Sequence, residues 1–284
     1  MQITPRTLRG FTLIELIMVI VITGIIAAVV SVFIRSPVQG YMDLSRRAEL
    51  VDAAESALRL MARDIRRALP NSIRINGANA IEMINTVEGV RYRHEAPGAP
   101  LQRLNFSAAD ASFNAVGTFN NITTPFASNG HRLVIYNLGT TGADAYDAAT
   151  QVITPAATTF TIDADPTPPG GSGAEDRITL SAGHQFPFQS PRQRLFLVDG
   201  PISYICNTGT SFLHRYTGYG LAIAQPVPPV GVTGIPLTRH VSACTFTYSA
   251  GTATRAGLVT LELTLTDSGE SVRLLHQVHV DNVP

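Results

Sequence analysis

The chain has 284 residues, 45% hydrophobic and 15% charged, and its formal net charge is zero. That balance leaves no basic footprint for nucleic acid. Every basic side chain is Arg, which excludes a P-loop lysine, a Schiff-base lysine and a Ser-x-x-Lys nucleophile.

Met1–Gly10 is short and polar and carries Arg6 and Arg9. From Phe11 to Ile34 the run is apolar, and Glu15 is its only charge. As a helix this run reaches roughly 36 Å, enough to cross a hydrocarbon core of about 30 Å. A carboxylate inside such a span is costly and marks a functional position. Thr12 and Glu15 also spell a capping box, with Thr12 as N-cap, Glu15 as the third helical residue, and Phe11 and Leu16 spaced for a hydrophobic staple. A carboxylate there complements the helix dipole.

Gly10-Phe11-Thr12-Leu13-Ile14-Glu15, behind a short basic leader and ahead of an apolar helix, resembles the type IV prepilin family. The resemblance implies cleavage by a prepilin peptidase between Gly10 and Phe11, N-methylation of Phe11, and a role for Glu15 in subunit assembly. It places the leader in the cytoplasm and the rest outside, anchored first in the bacterial inner membrane and later in a pilus. Cleavage leaves an ammonium at the helix N-terminus, where the dipole disfavours it. Once helices bundle, that charge needs a counterion, and a neighbour's Glu15 supplies one. An ordinary secretory peptidase would cut after the apolar run instead of before it.

Pro37 predicts a kink, and Gly24 weakens the middle of the span. Residues 35–69 form the second half of the helix. Leu44, Val51, Leu58 and Ile65, with Ala54, Met61 and Ala68, mark one apolar face. Pro70 and Asn71 stop it. Arg59, Arg63, Arg66 and Arg67 mark the opposite face, and Glu55–Arg59 is a favourable pair.

Residues 70–284 read as a β-rich globular domain, large enough for its own core. Expected strands are Ser72–Ile75, Val87–Arg93, His131–Leu138, Arg194–Val198, Ile202–Cys206, Phe212–Tyr216 and Val241–Tyr248. Leu258–Thr266 and Ser271–Val280 form a hairpin about Asp267–Glu270. Residues 94–130 and 139–175 read as variable loops. Cys206 and Cys244 form a disulfide if this domain lies outside the cytoplasm, and two buried thiols are the alternative.

The expected fold class is α+β: a long N-terminal helix packed on a C-terminal antiparallel sheet, as in type IV pilins. RLVIYNLG, ISYIC, FLHRY, CTFTY and the ending HVDNVP resemble minor pilins of the MSHA (mannose-sensitive haemagglutinin) type. This resemblance implies partners among other pilins and minor pilins, the prepilin peptidase and an inner-membrane assembly platform. It implies a non-enzymatic subunit that primes assembly at the pilus tip, with no cofactor, no metal and no nucleic-acid partner. Two alternatives stay open: a type II secretion minor pseudopilin, and a membrane-anchored periplasmic binding module.

His276 and His279 sit three apart on an expected strand and so face opposite ways. Asp163, Asp165, Glu175 and Asp176 flank a Pro/Gly loop without the spacing of an EF-hand. Asn121-Ile122-Thr123 matches the short glycosylation pattern. No metalloprotease or nucleophile-elbow motif occurs.

Overall fold

A computed structural model describes residues 10–170, 173–251 and 255–284. Arg6, Arg9 and the rest of the leader before Gly10 lie outside the described residues.

One helix, α1 (Leu13–Arg66), runs unbroken for 54 residues through Pro37. At ~1.5 Å per residue it measures roughly 80 Å. Its second half turns Leu50, Ala54, Ala57, Leu58, Met61, Ala62 and Ile65 inward, and all are buried. Leu44 lies below this contact and stays exposed. Arg59, Arg63, Arg66 and Arg67 face outward, with Glu55 accepting from Arg59 Nε at 3.1 Å. The helix ends at Arg66, three residues short of the expected Leu69. Arg67 N–H donates to Asp64 O, and Leu69 N–H leaves the helical ladder to donate to Ile84 O at 2.8 Å.

The strands fall into two antiparallel sheets. The larger contains β1 (Arg74–Asn76), β2 (Ala80–Tyr92), β3 (Asp110–Val116), β4 (Phe126–Ala127), β5 (Arg132–Val134), β6 (Phe160–Ala164), β7 (Asp176–His184), β8 (Arg194–Asn207), β9 (Phe212–Tyr216) and β10 (Ile235–Arg239). Its order is β10-β9-β8-β2-β3-β7-β6-β4, with β1 on β2 and β5 on β8. The smaller orders β11 (Val241–Ser249), β12 (Gly257–Asp267) and β13 (Glu270–Val280) side by side. The β12–β13 register runs without a slip from Gly257↔Val280 to Asp267↔Glu270. Together the helix and two sheets make an α+β, pilin-like fold.

The expected loops 94–130 and 139–175 are partly strand: β3 and β4 lie in the first and β6 in the second. The reason is polar burial. Asn114 sits fully buried in the middle of β3, which breaks the apolar period a strand normally shows. Its amide donates to Asp165 Oδ2 at 2.6 Å and Glu175 Oε2 at 2.9 Å, so burial leaves that donor satisfied. β8 is one strand where two were expected. Gly200, at φ +127, lets it pass the irregular pairing at Asn85 and Thr86 without stopping.

The principal core joins α1 to both sheets. Val259, Leu261, Leu263 and Leu265 of β12 and Val272, Val278 and Val280 of β13 meet the helix, as do Ile81, Met83, Ile202, Tyr204 and Leu213 of the large sheet. A second, aromatic core gathers Tyr92, Phe113, Phe160 and Phe186 farther from the helix. A third, around Leu69, Ile84, Tyr146 and Ile153, lies under the helix end.

Two polar ties fix the helix end, and a disulfide joins the sheets beyond it. Asp64 is 3% exposed, points inward from α1, and accepts from Tyr204 Oη at 2.7 Å and Arg215 Nε at 2.9 Å. Its charge raises the Tyr204 phenol, adding to the larger effect of burial. Asn71 donates through its backbone to Asn282 Oδ1 at 3.3 Å and through its amide to Asn282 O at 3.0 Å. Gly139, at φ +63, passes close to the same turn, where a Cβ would come within 2.5 Å of Asn71 O. A Cys206–Cys244 disulfide, with Cα atoms 6.6 Å apart, joins β8 of the large sheet to β11 of the small one. Elsewhere Glu82 of β2 is buried beside Arg74, Ser203 and Tyr219. Burial raises its carboxyl above the ordinary range, and Arg74 opposes that rise.

Asp64→Ala leaves Arg215 without its carboxylate and should cost about 3 kcal/mol in urea unfolding of the detergent-solubilised chain. A loss smaller than that of the exposed-pair variant Glu55→Ala would show the tie contributes nothing. Replacing both cysteines by Ala opens a loop of 38 residues and should cost about 4 kcal/mol in the same assay on the chain-entropy account. Glu82 gives a pH signature. Its folded value is raised, so its contribution is fully present below the unfolded value and is lost as pH rises through the folded one. The stability of Glu82→Gln relative to the parent should therefore improve as pH climbs above about 4.5; a relative decline would contradict the assigned direction.

Candidate functional site: the N-terminal helix

Thr12 begins the helix with φ −80° and ψ 150°, an extended N-cap. Its Oγ1 accepts from Glu15 N–H at 3.3 Å, and Glu15 Oε2 accepts from Thr12 N–H at 3.5 Å. The capping box read from the sequence is therefore formed. Both bonds are long, and Glu15 Oε1 has no hydrogen-bond partner among the described residues. The carboxylate can hold its own helix start and still accept a cation on its second oxygen. Phe11 and Leu16 are 78% and 54% exposed, so no closed staple accompanies the box. Gly10 is exposed and has no neighbouring atom within 4 Å of where a Cβ would lie. Among the described residues nothing covers the Gly10–Phe11 peptide.

Above the cap, Leu13–Ser31 is long and apolar enough to cross a membrane, and none of it is buried against the rest of the chain. Every described large apolar side chain from Phe11 to Ile34 is at least 46% exposed. The largest apolar patch on an ordinary soluble monomer covers about 300–600 Å². An all-round apolar rod of this length exceeds that and requires lipid or other helices. The first helical residue buried by the chain's own domain is Leu50. This end of the molecule is built to be covered by something else.

The remaining sequence candidates are taken up by structure. Asp165 and Glu175 face Arg177 and Arg93 in ion pairs and share the Asn114 amide, with Gln102 donating to Asp165 at 2.8 Å. Burial raises the Asp165 carboxyl, but Asn114, the Thr167 N–H, Gln102 and Arg177 together hold it below the ordinary range. Asp176 accepts from Phe119 N–H at 2.7 Å, and Asp163 is exposed. Among the described residues no three His, Cys, Asp or Glu side chains converge as a metal site would require. His276 points into the β12–β13 interior face and His279 outward. The amide of Asn121 donates to Val87 O at 3.2 Å. Sequence reasoning missed the inward Asp64. Its one signal was an acid placed on an otherwise apolar helix face.

Residues 6–31 match the model of the prokaryotic N-terminal methylation motif. No curated protein and no solved structure matches the chain. The motif, of type IV prepilin type, indicates a family of structural subunits and implies interaction with other pilins and with a prepilin peptidase. Motif and apolar helix together fit a membrane-anchored, single-pass protein with a C-terminal domain. The N-terminal motif and the α+β architecture support a type IV pilin-family subunit, pilin- or pseudopilin-like.

Proposed function

We propose that this chain is a minor pilin of an MSHA-type type IV pilus, which primes pilus assembly and occupies the tip. The observation that carries the subunit role is the half-used Glu15 carboxylate at the start of an all-round exposed apolar helix. Peptidase cleavage between Gly10 and Phe11, followed by methylation of Phe11, leaves an ammonium one residue before the N-cap. In a bundle of such helices that ammonium is buried, and Oε1 of an adjacent subunit's Glu15 is its natural partner. A plain membrane anchor would need neither the cleavage nor the carboxylate. Support for the MSHA type rests on the C-terminal likenesses, RLVIYNLG through HVDNVP. Support for the tip comes from the bulk added by β3–β7, which burdens repeated packing along a shaft.

The test is Glu15→Gln in the native host, scored for surface pili and for recovery of sibling pilins. Glutamine keeps the capping box and removes the charge. Breaking a buried pair costs about 3–5 kcal/mol, so piliation should fall by about a hundredfold or more. Membrane levels and cleavage after Gly10 should stay normal. Unchanged pili would reduce Glu15 to a helix cap. Recovery of secretion-system partners in place of pilus partners would turn the assignment to a pseudopilin.

A further inference from the structure

A groove opens beside the end of α1, between the helix exit and strands β2 and β8. Arg66 and Arg67 line it together with Arg194 and Phe196 of β8. A second hollow shares Gly89, Arg194 and Phe196 with the first and adds Arg91 of β2. Their volumes are about 350 and about 300 Å³. The chain as a whole is neutral, yet four guanidiniums line this groove against two carboxylates, Glu88 and Asp281. The groove follows β2 from Thr86 to Arg91, roughly 17 Å of strand.

The fold does not account for these charges. Arg91 and Arg194 are direct partners in the β2–β8 register, and like charges directly opposite one another destabilise a sheet. The helix dipole favours Arg66 and Arg67 where they stand, but it acts on neither strand residue. Arg66 and Arg67 form no ion pair among the described residues. Arg91 donates to Gln193 Oε1 at 2.9 Å and Arg194 to Val283 O at 3.0 Å, both uncharged acceptors. Asp281 stands 3.7 Å from Arg194 and is 68% exposed. Glu88 is buried, and its two oxygens accept from the N–H groups of Asn120 and Asn121, each at 2.8 Å. A guanidinium has five N–H donors, so most donors in the groove are left over.

We propose that this groove binds an acidic, extended peptide segment of a partner protein, with its carboxylates on the arginines and an apolar side chain against Phe196. A site rich in donors and poor in acceptors suits a carboxylate, which only accepts. Guanidinium forks also match carboxylates in two-point contacts. Between the arginines the floor is apolar, with Val87, Val90, Phe196 and Val280. A Cβ on Gly89 would lie 3.2 Å from the Phe196 ring, so glycine lets the half-buried ring settle against β2. A hydroxyl-rich sugar chain would find few acceptors here for its O–H groups. A nucleic acid would find one aromatic ring on which to stack its bases. About five extended residues span the groove. It lies at the opposite end of the 54-residue helix from Glu15, so bundling of the N-terminal helices leaves it open. The inference goes beyond the subunit reading and depends on neither the Glu15 pairing nor the tip position.

The full-length chain in an uncharged detergent is titrated against a fluorescein-labelled peptide that alternates glutamate and leucine, and fluorescence anisotropy reads binding. Binding should saturate, weaken as salt rises, and be lost when glutamine replaces glutamate in the peptide. Arg66→Gln with Arg67→Gln, and separately Arg91→Gln with Arg194→Gln, should each weaken it about tenfold. Arg239→Gln, at an exposed arginine of β10 outside the groove, should leave it unchanged. Arg66 and Arg67 are exposed and outside every ion pair described, so their variant tests the groove even where loss of Arg194 disturbs the fold. A sulfated oligosaccharide and a single-stranded DNA are titrated in parallel. Tighter binding of either, no saturable binding of the glutamate peptide, no loss from either groove pair, or an equal loss from Arg239→Gln would each overturn the proposal.

Discussion

A helix that begins 37 residues before its first buried side chain, counting from Leu13 to Leu50, imposes the main constraint on this molecule. The chain cannot cover its own N-terminal half. Apolar surface on every side of that rod is unfavourable in water, so the folded state is complete only in lipid or among other helices. The globular domain inherits its task from this arrangement. It must grip the last five turns of α1 firmly enough to act as one body with a rod that something else surrounds.

The grip combines apolar burial with polar specificity. Ala54, Ala57 and Ala62 are short enough to bring the helix close to the sheets, and Met61 and Ile65 fill the space between. Apolar packing alone would let such a helix slide or rotate by a turn. Asp64 fixes both motions, since only one register presents its carboxylate to Arg215 and the Tyr204 hydroxyl. Asn282 then ties the turn after the helix to Tyr248 and Asn71, so that both ends of the globular segment meet there.

The elements legible from sequence were those with a clean period and a local stop signal. The capping box at Thr12, the helix stop near Pro70 and the β12–β13 hairpin all have both. Five strands, β3, β4, β6, β7 and β10, were not legible. β3 carries a buried Asn114 whose partners lie 51 and 61 residues away. β6 is five residues long and sits among turn-forming residues. β10 contains Pro236, where the pairing shifts register. In each case long-range pairing overrides the local pattern. The start of the helix was legible because a capping box and an apolar run are local by nature. The role of Asp64 could not be read, since Arg215 lies 151 residues along the chain.

The Cys206–Cys244 bond also has a mechanical meaning. A pull along α1 enters the domain through its contacts with β12 and β13 and through Asp64 to the large sheet. The two sheets share few backbone hydrogen bonds, such as Phe246 N–H to Ala78 O. Shear across that boundary would otherwise peel the small sheet away with the helix. A covalent link between β8 and β11 puts the two sheets in series with the rod. Tension on the helix is then borne by the whole domain, and no longer by the small sheet alone.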